Sequence, residues 1–308
     1  MQNLYWKTNK ESRVLVESAF PLESDLEKYI FSNQDLLDDV SIIYRQIKTG
    51  TKQGIPDMLG VDQDNRVCII ELKNQAVDQD VLPQVLRYAI WAETNPDSIR
   101  AIWLESKNKP EDMNIDWDNL DIRIIVVAPE FKVDVPRMAV KIGYPIDLCQ
   151  IKRYTFEEHE FISVDFLDKP EPKRVTTTKP LIDWDWAYYE SEHGQDATKQ
   201  FKRMVEIIEG FVNRNRWLAP YNINKNYTGF KIANKVIFSV AWNSTYAWSV
   251  RMKIPKNSAE GFTGKDWDFQ TYSTTFREAY FRPKNPDTVK IDELEPLLIE
   301  AYKRIASK

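Results

Sequence analysis

Residues 54–62 read GIPDMLGVD, and residues 69–74 read IIELKN. Between them, residues 62–65 (DQDN) form a turn-prone run, and each flanking stretch is short and β-prone, so the pair reads as two neighbouring strands joined by a hairpin. Side chains alternate along a strand, which puts Glu71 and Lys73 on one face while Leu72 turns with Ile70 and Cys68 to the core. Fourteen residues before Glu71, the Pro56-Asp57 step sets a second carboxylate where the hairpin can bring it to Glu71. Two carboxylates, a main-chain carbonyl and water make a hard-oxygen site suited to Mg²⁺ or Mn²⁺, which usually keeps several waters and needs only one or two carboxylates. Lys73 beside such an ion could orient an attacking water, a combination that fits phosphodiester hydrolysis.

Outward from this pair, residues 22–37 carry apolar side chains at helical spacing just after Pro21, and residues 78–93 do the same, with Leu82, Val85, Leu86, Ala89 and Ile90 expected to face inward. Residues 42–48, 55–61 and 66–73 are expected strands. Residues 99–104 and 122–128 are apolar enough for buried strands, residues 133–142 read as a helix, and residues 146–153 and 160–166 read as closing strands. The fold class is therefore α/β, a mixed sheet flanked by helices. On the second helix Gln84 and Tyr88 are four apart and share a face, as do Glu23 and Glu27 on the first. An ExK triplet alone is most often a solvated ion pair, and helix glutamates are most often exposed; it is the company of these residues that makes the site.

Composition excludes several classes. The chain has 308 residues with 43% hydrophobic and 29% charged side chains, which suits packed domains rather than a disordered or fibrous protein. Two cysteines and two histidines can build neither a disulfide framework nor a Cys/His zinc cluster. No apolar run approaches the ~20 residues of a membrane span, and residues 1–10 (MQNLYWKTNK) lack a secretory layout, so a cytoplasmic protein without a membrane partner is expected. Residues 168–180 (DKPEPKRVTTTKP) leave little to pack, and the net charge is −8 before residue 180 and +3 from there on. Two domains are expected, residues 1–168 and 181–308, joined by a linker at 169–180.

Taken together, Glu23, Asp57, Glu71-x-Lys73 and Gln84-xxx-Tyr88 resemble the PD-(D/E)xK nuclease superfamily. Across residues 20–167, the runs LESDLEKYIFSNQDLL, YRQIKTGTKQGIPDMLGVD, IIELKN and QVLRY are similar to the nuclease domain of the NucS, or mismatch endonuclease, type. The resemblance implies a metal-dependent DNA endonuclease in which Asp57 and Glu71 bind the divalent ion with Glu23 as a further ligand, Lys73 serves the water, and Gln84 and Tyr88 line the site. Its Glu-x-x-Leu motif selects Glu23 with Leu26, and Glu27 is the second choice. Arg45 and Gln46 match a polar pair expected to contact substrate. That family carries a domain before the nuclease and a clamp-binding tail after it, whereas residues 1–19 precede the segment here and the end, LLIEAYKRIASK, has no such tail motif; mismatch specificity is not expected.

In residues 181–308, Phe201, Met204, Val205, Ile208 and Val212 form a helical stripe, residues 227–232, 236–242 and 247–254 are spaced like an antiparallel meander, and residues 291–305 close with a helix. This small α+β domain resembles an uncharacterised domain appended to such nuclease-like domains. Its run YAWSVRMK places Arg251 and Lys253 on one strand face, expected to meet DNA phosphates, with Lys231 and Lys235 nearby. RNA stays open as the substrate. The rival readings are a catalytically silent nucleic-acid-binding scaffold on a nuclease fold, and a homodimer whose second domain serves self-association.

Overall fold

The computed structural model describes residues 4–7, 11–37, 39–45, 56–110, 113–167, 184–233 and 235–306. The chain divides into two compact units, Met1–Lys107 with Ile115–Leu181, and Asn108–Asn114 with Ile182–Lys308. The expected linker at 169–180 lies outside the described residues.

In the first unit the described strands are β1 (Leu4–Lys7), β2 (Ser12–Glu17), β3 (Val40–Arg45), β4 (Met58–Asp62), β5 (Val67–Leu72), β6 (Ile122–Ala128), β7 (Ile146–Phe156) and β8 (His159–Phe166). They form one sheet in the order β1-β2-β7-β6-β5-β4-β3, with β8 paired to β7. The β5-β6 and β6-β7 pairs are parallel and the others antiparallel, so the sheet is mixed. The helices are α1 (Glu23–Ser32), α2 (Val81–Thr94), α3 (Pro96–Glu105) and α4 (Asp134–Ala139), and a 3₁₀ turn at Gln34–Leu37 follows α1. β5 and β6 lie in the middle of the sheet and are buried along their whole length, apolar apart from Glu71 and Arg123. Gly60 on β4 is required by closeness to β3: a Cβ there would lie 2.6 Å from Val40 Cγ1 and 3.0 Å from the Ser41 carbonyl.

Three details differ from the sequence reading. Residues 99–104 are helical, inside α3, rather than a strand. Pro96 sits in the first turn, where its fixed φ suits a helix, and only Ile99 of this helix is buried. The hairpin of β1 and β2 was not expected; it extends the sheet through two register pairs, Val16 with Thr155 and Glu17 with Tyr154. On α2 the buried face is Val81, Leu82, Val85, Tyr88, Ala89 and Ala92, which leaves Ile90 exposed.

The second unit holds α5 (Trp186–His193), α6 (Gln195–Arg214), β9 (Tyr221–Ile223), β10 (Tyr227–Ile232), β11 (Lys235–Trp242), β12 (Trp248–Met252), α7 (Lys256–Glu260), β13 (Trp267–Ser273), β14 (Glu278–Pro283) and α8 (Glu295–Ala306). Its described strands make an antiparallel sheet in the order β13-β14-β12-β11-β10-β9. The stripe Phe201, Met204, Val205, Ile208 and Val212 of α6 is buried as expected, in one core with Phe238, Val240, Trp242, Trp248, Val250 and Met252 of the sheet and Leu298 and Ala301 of α8. Among the described residues of both units, no helix is long and apolar enough to cross a membrane.

Candidate active site

β4 and β5 run antiparallel with Met58 opposite Ile70, so Asp57, one residue before β4, arrives at the end of β5 that carries Glu71. The Leu72 N–H donates to Asp57 Oδ2 at 2.8 Å, which fixes the aspartate against the strand end. Lys73 follows β5, and its own N–H donates to the Val127 carbonyl of β6 at 2.9 Å. The site therefore lies at the carboxyl ends of two parallel strands, where open α/β sheets commonly bind ligands.

Glu71 is almost fully buried and is the centre of a polar cluster. Its Oε1 accepts from Lys73 Nζ at 2.6 Å and from Gln84 Nε2 at 2.6 Å, and Gln84 Nε2 also donates to the Tyr88 hydroxyl at 2.7 Å. α2 supplies both of the latter side chains because positions four apart share a helix face. Burial, with the like charge of Asp57 adding to it and Lys73 opposing, raises the Glu71 carboxyl to about 7. Burial works against the Lys73 ammonium, but the hydrogen bond and charge of Glu71, with Glu23 and Asp57 beyond, outweigh it and raise the amine above its ordinary value. Tyr88 is raised first by burial and then by the charges of Glu71 and Asp57.

The other Glu71 oxygen, Oε2, is buried and accepts no hydrogen bond among the described residues. A carboxylate oxygen with no donor, next to a second carboxylate, is a donor set that fits a hard divalent cation. Among the described residues no group of three or more His, Cys, Asp or Glu side chains gathers in a metal-ready cluster, so the protein ligands converging here are the pair Asp57 and Glu71. Glu23, in the first turn of α1, comes to 4.0 Å of Lys73 Nζ and is 44% exposed in its side chain. Glu27, one turn on, ion-pairs instead with Arg45 at 3.6 Å.

Arg45 ends β3 opposite Met58, one residue from Asp57, and its guanidinium lies 4.9 Å from the centroid of the Phe31 ring. Gln46 lies outside the described residues. In the second unit Arg251 is on β12, where its Nη2 donates to the Trp242 carbonyl and Asn243 Oδ1, both at 3.3 Å, and its guanidinium stands 4.5 Å from the Tyr280 ring centroid. Lys253 follows β12 and is half-buried. The structure thus gathers Asp57, Glu71, Lys73, Gln84 and Tyr88, with Glu23 at the rim, and sets Arg251 and Lys253 in a different unit. Two participants were not singled out from the sequence: the Leu72 N–H that anchors Asp57, which no side-chain pattern shows, and Phe31, which the helical spacing from Glu23 and Glu27 would have placed on their face.

A mixed-sheet α/β domain with a carboxylate pair, a bonded lysine and a helix-borne glutamine defines the first unit. The family model for the endonuclease NucS C-terminal domain matches residues 22–131, and this unit resembles a NucS-type nuclease domain. Endonuclease NucS of Methanocaldococcus jannaschii is 34% identical over 83 residues, covering 26% of this chain and 31% of that protein. Among solved structures, a repair endonuclease from Pyrococcus abyssi is 20% identical with a TM-score of 0.27, covering 47% of this chain and 63% of its own. The EndoMS protein of a complex with double-stranded DNA is 16% identical with a TM-score of 0.29, covering 48% and 64%. The match thus spans about a third of the curated relative and less than two thirds of either solved chain.

Proposed function

We propose that the first unit is a PD-(D/E)xK-type endonuclease that hydrolyses DNA phosphodiester bonds with Mg²⁺ or Mn²⁺. The observation that carries this is the orphaned, buried Glu71 Oε2 beside Asp57, with Lys73 bonded to the opposite oxygen of the same carboxylate. Asp57 and Glu71 would hold the ion, with Glu23 as the outer candidate. When bound, a divalent ion offsets charge on the phosphoryl oxygens and activates water.

The chain's own side chains do the positioning. Gln84 and Lys73 both donate to Glu71 Oε1, which leaves Oε2 available. Lys73, kept protonated by its carboxylate neighbours, is suited to orient the attacking water and to donate toward the charge that develops on phosphate. The Tyr88 hydroxyl, on the buried face of α2, accepts from Gln84 Nε2 and helps fix the amide beside Glu71. Arg45, held between Glu27 and Phe31, offers a guanidinium for the substrate backbone next to Asp57. The second unit would add phosphate contacts through Arg251 and Lys253.

Labelled single-stranded, duplex and branched DNA, with RNA alongside, incubated with Mg²⁺, Mn²⁺ or EDTA, tests the proposal. Cleavage of a DNA substrate that EDTA stops and that Asp57→Asn abolishes supports it. Absence of cleavage on every substrate, with DNA binding retained, would support the silent-scaffold reading instead.

A further inference from the structure

The second unit contains a pocket of about 420 Å³, lined among others by Tyr246, Trp248, Asp268, Gln270, Arg282 and Lys284. The turn between β11 and β12 builds one wall: the Asn243 and Ser244 N–H groups both donate to the Ala247 carbonyl, and His193 Nδ1 meets the Thr245 carbonyl at 2.9 Å. This bracing holds Tyr246 out with 74% of its surface exposed and no ring contact among the described residues. The opposite wall is the pair of β13 and β14, where Asp268 faces Arg282 in register and Gln270 sits at the register shift between Phe269 and Thr271. Lys284 Nζ stands 3.3 Å from Asp268 and donates to the Gly264 carbonyl at 3.0 Å, so it is already engaged. The exposed side chains of Arg282 and Gln270 make no side-chain hydrogen bond or ion pair among the described residues, and Trp248 Nε1 is buried without a partner there. Arginine forks that stand unpaired suit phosphate, an open aromatic face suits a base, and a carboxylate with an amide suits the donor and acceptor edge of that base.

We propose that this pocket binds a single nucleotide unit, its base stacked on Tyr246, the base edge against Asp268 and Gln270, and its phosphate at Arg282. A volume of this size falls in the range of small-molecule sites. The unit can come free or as an unpaired residue of a strand; the recognising chemistry is the same. The pocket is formed within the second unit, and binding there does not depend on cleavage.

The test is calorimetric titration of the full chain in EDTA with the four deoxynucleoside monophosphates, the corresponding nucleosides and inorganic phosphate. At least one monophosphate is expected to bind more tightly than both its nucleoside and phosphate. Tyr246→Ala should weaken that binding by at least about fivefold, the scale of one stacked base, while Tyr246→Phe retains it. Arg282→Ala should remove the advantage of nucleotide over nucleoside. Displacement by a short single-stranded oligonucleotide would identify a strand as the source, and binding of the monophosphate without displacement would identify the free nucleotide. The proposal is overturned if no nucleotide binds, if phosphate binds as well as every nucleotide, or if Tyr246→Ala and Arg282→Ala both bind as the wild type does.

Discussion

The first unit carries a charged cluster at each end of the same pair of strands, and they are built differently. At the end near Val67, Arg123 on β6 donates from Nη1 to Asp39 and Asp62 at 3.1 Å and from Nε to Asp147 at 2.7 Å. Arg66 joins from the turn, with Nε donating to Asp62 at 2.8 Å, while Asp62 Oδ1 also accepts the Asp64 and Arg66 N–H groups at 3.0 Å. Burial opposes the charge on both guanidiniums, yet the surrounding aspartates more than restore it and raise them. At the other end, among the described residues, Asp57, Glu71 and Glu23 gather around the Lys73 ammonium, and Glu71 keeps a buried oxygen with no donor. At one end donors fill the carboxylates that hold the sheet together; at the other, one carboxylate oxygen is left without a donor among the described residues, which is what the proposed metal site requires.

That contrast can be broken by exchanging the two effects. The largest expected change is in catalysis. Asp57→Asn and Glu71→Gln should each lower kcat on the order of 10³-fold in a cleavage assay while DNA affinity stays within a few-fold, because transition-state stabilisation is lost and backbone contacts are kept. Next comes stability. Arg123→Met takes the Arg123 guanidinium from Asp39 and Asp147 and leaves Asp62 with Arg66 alone, and should cost about 3–5 kcal/mol in denaturant unfolding, with the folded fraction still cutting DNA. A stable Arg123→Met protein that cuts poorly would erase the distinction between the two ends.

A smaller effect lies in pH. The Glu71 carboxyl is raised from the ordinary 4.5 to about 7, so the metal-free folded chain binds the proton more tightly than the unfolded chain does. Its contribution is fully present below about 4.5 and is lost as pH rises through about 7, a decline of at most about 3 kcal/mol. Thermal midpoints measured in EDTA across this window should fall more steeply in the wild type than in Glu71→Gln. Equal slopes would mean that the buried carboxylate carries no such cost. The smallest expected effects come from the rim. Glu23→Gln should reduce cleavage by about fivefold or less, as its contact with Lys73 is long and half-exposed, and Glu27→Gln should act on substrate affinity through Arg45 rather than on kcat. A larger kcat defect from Glu27→Gln would reverse these roles.

Much of the site was legible because its signals are local. The two-residue period puts Glu71 and Lys73 together, the four-residue period puts Gln84 and Tyr88 together, and a tight hairpin brings Asp57 across. The mixed sheet with flanking helices followed from apolar runs between turn residues. What escaped depends on longer range. Residues 99–104 form an apolar run that suits strand or helix equally, and the start at Pro96 decides it. Ile90 looked like a core position, but the helix phase is set by Tyr88 and Ala92, which turn it to solvent. The Arg123 cluster draws on residues 39, 62, 66 and 147, whose separation in sequence hides their meeting. In the second unit the strands β13 and β14 were not read, since residues 267–283 mix apolar and polar positions around a register shift.

The central claim, that one oxygen of Glu71, Oε2, is left without a donor so that it can hold a divalent ion with Asp57, is met most directly by calorimetric titration of the metal-free protein with Mn²⁺. Wild type is expected to show a binding site that Glu71→Gln and Asp57→Asn each remove and that Arg123→Met leaves in place. Mn²⁺ binding that persists unchanged in both Glu71→Gln and Asp57→Asn would contradict the account.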